Sequence, residues 1–298
     1  MKIEQLKSVK IPIAVFLLTI ILQPAASQEL GSIKHEKCLL WKISGNGLEH
    51  PSYMFGTVHI IDSAYYFLEE TVIEKFIKCE KIVCEVDKSD PEFQQKTLSV
   101  LMMENDSLDN MISRAEYEKV KTFFSNELNI PLEKVKKIKP YYLTSFVASI
   151  NIPEHFKSYE DELLKIVDSQ NQEILGVSTV EKESEILVDR IPLGIQTKML
   201  LNAIDGVDEL AEISEQLIKF YRDKDIDRFY ELTKRESNDY EVVFESMFQK
   251  RHEVWIPNML QLMSKNSCFF ALGVAHLAGE EGLIELLKHH GYKVESVF

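Results

Sequence analysis

The fold is decided by one stretch near the end of the chain, Ser267-Cys-Phe-Phe-Ala-Leu-Gly273-Val-Ala-His276-Leu-Ala-Gly279-Glu-Glu-Gly282-Leu-Ile-Glu-Leu-Leu-Lys-His-His-Gly291-Tyr-Lys-Val-Glu-Ser-Val297. Its apolar beginning, which stops at Gly273, is typical of a buried strand. The leucines at positions 283, 286 and 287 share one helical face, and Gly291 follows the end of that helix. A second strand is predicted from Tyr292 to Val297. His276 therefore lies in a Gly-x-x-His turn just past the carboxyl end of a strand, where open α/β sheets place their chemistry.

The same unit occurs once more, near the beginning of the chain. A strand ends in the sequence Gly56-Thr-Val-His59, helical spacing runs from Glu69 to Cys79, and the strand Lys81–Asp87 follows. We interpret the two copies as half-units that pair into one sheet. We expect their strand ends to open on the same side, so that each half-unit brings one histidine to a shared cleft.

The rest of the chain predicts one hairpin and a long helical region. Residues 38–43 and 52–55 read as a β-hairpin that leads into the first Gly-x-x-His turn. Residues 90–265 show repeated helical periodicity, with one strand predicted at 173–177 and the longest helices at 193–223 and 240–263. The predicted fold is α/β (α+β), with a central mixed sheet built from the two half-units and a large helical insertion. We expect a single domain over residues 28–298, made of a first half-unit (28–89), the insertion (90–265) and a second half-unit (266–298).

The net charge of the chain and its amino-terminal segment predict which partners the protein binds and where it is located. The 298 residues carry a formal net charge of -14, and residues 1–27 hold three lysines against Glu4, so the remainder carries -16. Such an acidic surface repels nucleic acid and anionic lipid. Lysines precede the apolar run Ile11–Leu22, and Ala25-Ala26-Ser27 follows it. This pattern predicts a signal peptide and an exported protein, periplasmic or secreted, with no stable membrane span after cleavage.

The four cysteines, at positions 38, 79, 84 and 268, match no disulfide framework or zinc-finger spacing. Two interpretations remain, disulfide bridges in an exported chain and buried small hydrophobic residues. Cys84 and Cys268 lie in apolar strand runs, which favours the second interpretation for both.

The candidate site residues follow from the two turns. Neutral imidazoles of His59 and His276 that converge on one cleft would suit a divalent ion or acid-base work near neutral pH. Glu85 interrupts an apolar strand, where a carboxylate is costly unless it is paired, hydrogen-bonded or bound to metal. Arg251, taken alone, is predicted on a solvated helix face. The remaining histidines outside the Arg251-His252 pair lack a strand-turn context and are predicted at the surface: His35, His50, His155, His289 and His290.

Several motifs together resemble the TraB/GumN family, which includes the Tiki-type metalloproteases and is distantly similar to erythromycin esterase-like and ChaN-like folds. The resemblance spans the chain from Leu40 to Val297. Its motifs are Leu40-Trp-Lys42, Phe55-Gly-Thr-Val-His59, Val83-Cys-Glu-Val-Asp87, Asp161-Glu-Leu-Leu164, Phe220-Tyr-Arg-Asp-Lys-Asp225, Lys250-Arg-His-Glu-Val-Trp255 and Gly273-Val-Ala-His-Leu-Ala-Gly-Glu-Glu-Gly-Leu283.

This resemblance implies a central sheet with paired Gly-x-x-His turns and, for the Tiki-type members, peptide hydrolysis that depends on manganese- or cobalt-like ions. It implies that His59, Glu85 and His276 form the metal and catalytic set, with Arg251 stabilising an anion. The chain departs from the family pattern at two places. His252 stands where the family often has Asn after the arginine. In the segment 177–183, Glu181 is the acid of the family pattern that remains at its position.

Three functions agree with these features. The first is an exported metal-dependent hydrolase, a Tiki-like peptidase with a manganese-, cobalt- or zinc-like ion and a peptide or protein substrate. The second is a non-catalytic exported binding or envelope-polysaccharide assembly protein of the GumN type. The third is a metal-free esterase whose histidines act as acid and base. The sequence makes no prediction of the oligomeric state.

Overall fold

The computed structural model of the chain describes residues 33–167, 172–237 and 240–298. The predicted signal segment, residues 1–27, lies outside them. The strands are β1 (Leu40–Ser44), β2 (Ser52–Thr57), β3 (Ile61–Asp62), β4 (Lys81–Val86), β5 (Phe156–Lys157), β6 (Glu173–Ser178), β7 (Cys268–Gly273) and β8 (Lys293–Ser296). Within the described residues, six of them form one mixed sheet in the order β6-β4-β7-β2-β1-β8, and β3 pairs with β5.

The two half-units interleave in this sheet. β7, the first strand of the second half-unit, lies between β2 and β4 and runs parallel to both. β1 is antiparallel to its two neighbours, β2 and β8, so the predicted hairpin is present. Because Thr57 aligns with Gly273, and Cys84 with Ala271, the strand ends near Gly56, Glu85 and Gly273 open on the same side. The predicted mixed α/β architecture is confirmed.

Helices occupy most of the predicted insertion and cover the sheet. They are α1 (Glu70–Lys78), α2 (Phe93–Leu101), α3 (Leu108–Met111), α4 (Arg114–Asn126), α5 (Pro140–Ala148), α6 (Tyr159–Val167), α7 (Val180–Ser184), α8 (Leu193–Asp205), α9 (Val207–Arg222), α10 (Ile226–Ser237), α11 (Glu241–Met247), α12 (Gln249–Met263) and α13 (Leu283–His289). A π-helical turn, Glu185–Asp189, continues α7, and His276 lies in a short 3-10 turn, Val274–His276.

The two longest predicted helices are each broken once. The helix predicted at 193–223 splits into α8 and α9 at Gly206, a residue type that favours helix ends because it lacks a Cβ. The helix predicted at 240–263 splits into α11 and α12 at Phe248, whose φ of -120° and ψ of -73° depart from helical values. The Phe248 ring packs against the His276 ring at 5.2 Å, so tertiary packing accompanies this break.

The hydrophobic core is continuous across the sheet and the helices that cover it. β7 is central in the sheet, and its residues from Cys268 to Leu272 are fully buried, which explains its unbroken apolar sequence. The Phe76 ring of α1 meets the Phe269 ring edge-on at 5.1 Å across the sheet face. All four cysteines are buried and free, as the second interpretation of their spacing predicted. The single-domain division stays a prediction.

Two further observations concern the surface. Of the helices in the described parts of the chain, none combines the length and hydropathy that a membrane crossing requires. The prediction that His35 lies free at the surface is wrong. Its side chain is 2% exposed, its Nδ1 atom lies 2.6 Å from Asp227, and its Nε2 atom lies 3.3 Å from Glu285. The two partners lie 192 and 250 residues away in sequence, so no local pattern indicates them.

Candidate active site

The carboxyl edge of the sheet gathers the residues that the sequence singled out. His59 follows β2, Glu85 lies near the end of β4, His276 follows β7, and α12 carries Arg251 across the same edge. All four line one cleft. Glu85 is held between two donors, because its Oε1 atom accepts from the Gly273 N–H at 2.9 Å and its Oε2 atom accepts from Arg251 Nη2 at 2.5 Å.

The glycines of the two turns are there because the backbone comes close to other residues. A Cβ on Gly273 would lie 3.0 Å from Glu85 Oε1 and 3.4 Å from His276 Cδ2, and 3.9 Å from His59 Nε2. A Cβ on Gly56 would lie 3.0 Å from the Val274 side chain. Gly273 therefore lies at the point where both histidines and the carboxylate converge, and this close approach explains the glycine in each Gly-x-x-His turn.

Arg251 is the most densely bonded side chain of the site. Its Nε atom donates to Glu183 at 2.6 Å, its Nη1 atom to His276 Nε2 at 2.8 Å and its Nη2 atom to Glu85. The guanidinium also stacks over the Trp255 ring at 4.2 Å. The prediction of a solvated helix face is wrong, since Arg251 is 3% exposed. Two carboxylates compensate the buried cation, and both lie far away in sequence.

The charge state of Glu85 follows from these contacts. Burial acts to raise the pKa of Glu85, but the Arg251 guanidinium, His59 and the Gly273 N–H outweigh it, so the pKa is lowered below 4.5. Conversely, burial acts to lower the pKa of Arg251, but the carboxylates of Glu183 and Glu85 outweigh it and raise that pKa above its usual range. The site therefore holds a carboxylate and a guanidinium as a permanent buried ion pair.

Behind Arg251, hydrogen bonds fix the tautomers of two histidines. A guanidinium can only donate, so His276 Nε2 must accept and the ring proton of His276 must be on Nδ1. That Nδ1–H donates to His252 Nε2 at 3.0 Å, and His252 Nδ1–H donates to the Glu281 carbonyl at 2.7 Å. Burial and the nearby Arg251 lower the pKa of His276 well below 6.5, and burial lowers the pKa of His252 to about 4. Both imidazoles are neutral.

The pKa of His59 is shifted in the opposite direction. Its Nδ1 atom lies 2.9 Å from Glu160 Oε1, and the Thr57 and Ser158 hydroxyls also donate to that carboxylate, at 2.8 Å each. Burial acts to lower the pKa of His59, but the carboxylates of Glu160 and Glu85 raise it above 6.5. Because Nδ1–H points to Glu160, the Nε2 atom faces the cleft, 3.9 Å from Glu85 Oε1.

Sequence reasoning missed four residues of the site: Glu160, Glu183, His252 as a hydrogen-bond relay, and Trp255. It assigned the retained acid of the 177–183 segment to Glu181, which is exposed, whereas the buried acid is Glu183, bonded to Arg251 and to Trp255 Nε1. The one available signal for Glu160 was its position, immediately before the motif that begins at Asp161.

In the described arrangement the three predicted metal ligands are not all free to bind an ion. In residues 33–167, 172–237 and 240–298, no group of three or more His, Cys, Asp or Glu side chains is placed to hold a metal. The reason is that both ring nitrogens of His276 are occupied. Its Nε2 atom accepts from Arg251, and its Nδ1–H donates to His252. His59 Nε2 and Glu85 Oε1 face each other, whereas catalytic zinc usually has three protein ligands. The set of His59, Glu85 and His276 as metal ligands therefore stays a prediction.

Similarity to known proteins extends over most of the chain. The profile of the TraB/PrgY/gumN family matches residues 39–296. The chain is also similar to "Metalloprotease TIKI2" of Danio rerio, with 22% identity over 333 aligned positions. That match covers 89% of this chain and 62% of the relative, so the chain spans less than two thirds of the relative's length. No solved structure matches the chain. Since the family profile covers both half-units and the helices between them, this chain belongs to the TraB/PrgY/gumN family.

Proposed function

We propose that the protein is an exported hydrolase that cleaves peptide bonds in the cleft of His59, Glu85 and Arg251. The observation that carries this proposal is the buried contact between Glu160 and His59 Nδ1, which leaves Nε2 facing the cleft beside a second carboxylate. A carboxylate that orients an imidazole in this way is the arrangement by which enzymes make a histidine into a general base. The similarity to a protein named as a metalloprotease supports peptide bonds as the substrate class.

In this mechanism His59 is the base and then the acid. Neutral His59 takes a proton from water through Nε2, the water oxygen adds to the peptide carbonyl carbon, and the new imidazolium lies between Glu160 and Glu85. The same Nε2–H then protonates the leaving nitrogen as the carbon–nitrogen bond breaks. The carboxylates that raise the pKa of His59 make its neutral form a stronger base, and a stronger base takes up the proton more readily.

Arg251 faces the same cleft and supplies positive charge where the oxyanion forms. Glu85 and Glu183 hold the guanidinium from two sides, which fixes its position before the substrate arrives. His276 does not act on the substrate in this account. It accepts from Nη1 of Arg251 and is a positioning residue, kept in the accepting tautomer by His252.

A metal-dependent form of the same reaction is the second candidate. It is favoured by the name of the relative and by the Glu160–His59 pair, because histidines that ligate metals usually donate their other N–H to a carboxylate. It requires that His276 leave Arg251, since both nitrogens of His276 are engaged in the described arrangement. The two candidates therefore differ in the hydrogen bonds of one side chain.

Peptide-library digestion, followed by mass spectrometry, tests the proposal. The protein is assayed as purified, after dialysis against EDTA, and after addition of Mn²⁺ to the dialysed sample. We expect cleavage that survives EDTA. Cleavage that EDTA abolishes and Mn²⁺ restores would support the metal-dependent candidate instead. Absence of cleavage in all three samples would contradict the hydrolase and favour the exported binding or assembly protein.

A further inference from the structure

We infer that the cleft selects substrates that carry an uncharged, apolar side chain next to the scissile bond. This inference rests on the proposed hydrolase and names its substrate class. It comes from the division of the cleft into a polar floor at the edge of the sheet and an apolar wall made by the helices of the insertion.

The wall is assembled from separate helical elements. Leu187 comes from the π-helical turn, Leu217 from α9, Phe229 from α10 and Met247 from α11, while Phe248 comes from the break before α12. π-helical turns are rare and are often found at functional sites. Here the turn directly follows α7, so one continuous segment supplies both Glu183, which holds Arg251, and Leu187 of the wall.

The charges of the floor are already compensated. Among the residues that line the cleft, Glu85 and Arg251 are charged, and His59 becomes charged when it takes a proton. Arg251 is paired with Glu85 and Glu183, and His59 is paired with Glu160. A charged substrate side chain placed against the wall would lose its hydration without gaining a counterion, which is strongly unfavourable. An apolar side chain has no such hydration to lose, and its burial against the wall is favourable.

The size of the cleft limits the substrate further. Its volume of about 110 Å³ is small beside the roughly 300–1,000 Å³ of most ligand pockets. That space suits one side chain of the size of leucine, methionine or phenylalanine. It does not suit a long acyl chain or a saccharide ring together with its neighbours.

The test compares blocked peptides that differ at one residue, Leu, Phe, Asp or Lys, on either side of the scissile bond. We expect kcat/KM for the Leu or Phe peptides to exceed that for the Asp and Lys peptides by at least about 100-fold. Met247→Lys should lower kcat/KM for the Leu peptide by at least about tenfold and raise it for the Asp peptide. Met247 is half-buried, so its replacement is compatible with folding. Met111→Lys, at a half-buried methionine of α3 outside the cleft, is the matched control and should change neither value.

Calorimetric titration with blocked leucine amide and blocked aspartate amide separates this inference from the hydrolase itself. Binding of the leucine amide that is weakened in Met247→Lys, without cleavage of any peptide, would leave the selectivity standing and contradict the hydrolase. Cleavage of Leu, Asp and Lys peptides at similar rates would overturn the selectivity and leave the hydrolase standing. Equal binding of the two amides would also overturn it.

Discussion

Arg251 donates to His276 Nε2 across 2.8 Å, and this one contact determines what His276 can do. Because the guanidinium has no acceptor atom, His276 must be neutral with its proton on Nδ1, and that proton is given to His252. The second histidine of the paired turns is therefore used to position a cation. The first, His59, is held by a carboxylate instead and keeps Nε2 toward the cleft. Two turns with matching sequences thus place their imidazoles in different chemical states.

The relay predicts the behaviour of His252 variants. His252→Leu leaves the buried Nδ1–H of His276 without its acceptor and should lower the free energy of unfolding at pH 7 by about 1–3 kcal/mol. His252→Gln returns an acceptor near the position of Nε2 and should restore part of that loss. Urea unfolding measures both, and ¹⁵N NMR of the His276 ring reports the tautomer. A His276 ring protonated on Nε2 in the wild-type protein would contradict the relay.

Glu85→Gln should separate catalysis from stability. The change removes the charge beside His59 Nε2, and we expect turnover to fall at least about 100-fold. Arg251 keeps its bond to Glu183, so the free energy of unfolding should fall by only about 1–2 kcal/mol. Peptide turnover and melting temperature are measured on the same sample.

The matched control for this variant is Glu173→Gln, an exposed carboxylate at the start of β6 that pairs with Lys81. It should change neither quantity measurably, because exposed ion pairs contribute little. An unstable Glu85→Gln protein with normal turnover per folded molecule would make Glu85 a structural partner of Arg251 and nothing more.

Gly273→Ala should impair the site by steric contact. The new Cβ would lie 3.0 Å from Glu85 Oε1, closer than ordinary contacts, so the carboxylate must shift by a few tenths of an ångström. We expect about a tenfold or larger loss of kcat, because small displacements of catalytic groups are costly. Gly194→Ala serves as the control, since a Cβ there would meet nothing within 4 Å. Unchanged kcat in Gly273→Ala would show that the position of Glu85 does not limit the reaction.

The His59–Glu160 pair predicts a pH dependence of stability. Folding raises the pKa of His59 above 6.5. The stability that protonated His59 contributes is therefore fully present below pH 6.5 and is lost as pH rises through its folded-state pKa. Folding lowers the pKa of Glu160 below 4.5, because the interaction with His59 outweighs the opposing effect of burial. The stability that the ionised Glu160 contributes is therefore present above pH 4.5 and is lost as pH falls through its folded-state pKa.

The pair should therefore contribute most between about pH 4.5 and 6.5. Urea unfolding at pH 5.5, 7 and 9 measures the difference in stability between wild-type protein and His59→Gln. We expect that difference to be largest at pH 5.5 and smallest at pH 9. A difference that grows with pH would contradict the raised pKa of His59.

Local patterns predicted the sheet and the approach of its strand ends. The apolar run before Gly273, the hairpin before Gly56 and the strand around Glu85 are signals carried by adjacent residues, and each strand formed where the pattern indicated. The paired Gly-x-x-His turns also indicated one cleft, which the convergence of His59 and His276 near Gly273 agrees with.

The charge network could not be predicted in the same way. Arg251 is buried only because Glu85 and Glu183 come to it from positions 166 and 68 residues away. Its own neighbours in sequence are charged and polar, so periodicity alone indicated a solvated face. The position of Glu160 beside His59 likewise depends on how α6 packs against the sheet. The break at Phe248 accompanies the packing of its ring against His276, which is not a neighbour in sequence.

The central claim, that His59 is the base of a peptide hydrolase, is tested most directly by kcat/KM of His59→Gln on the best-cleaved library peptide. His50→Gln, at an exposed histidine of the loop between β1 and β2, is the matched control. We predict a loss of at least about 100-fold in His59→Gln at pH 7, since general base catalysis contributes about 100- to 10,000-fold, and wild-type activity in His50→Gln. Wild-type turnover in a folded His59→Gln protein would contradict the account.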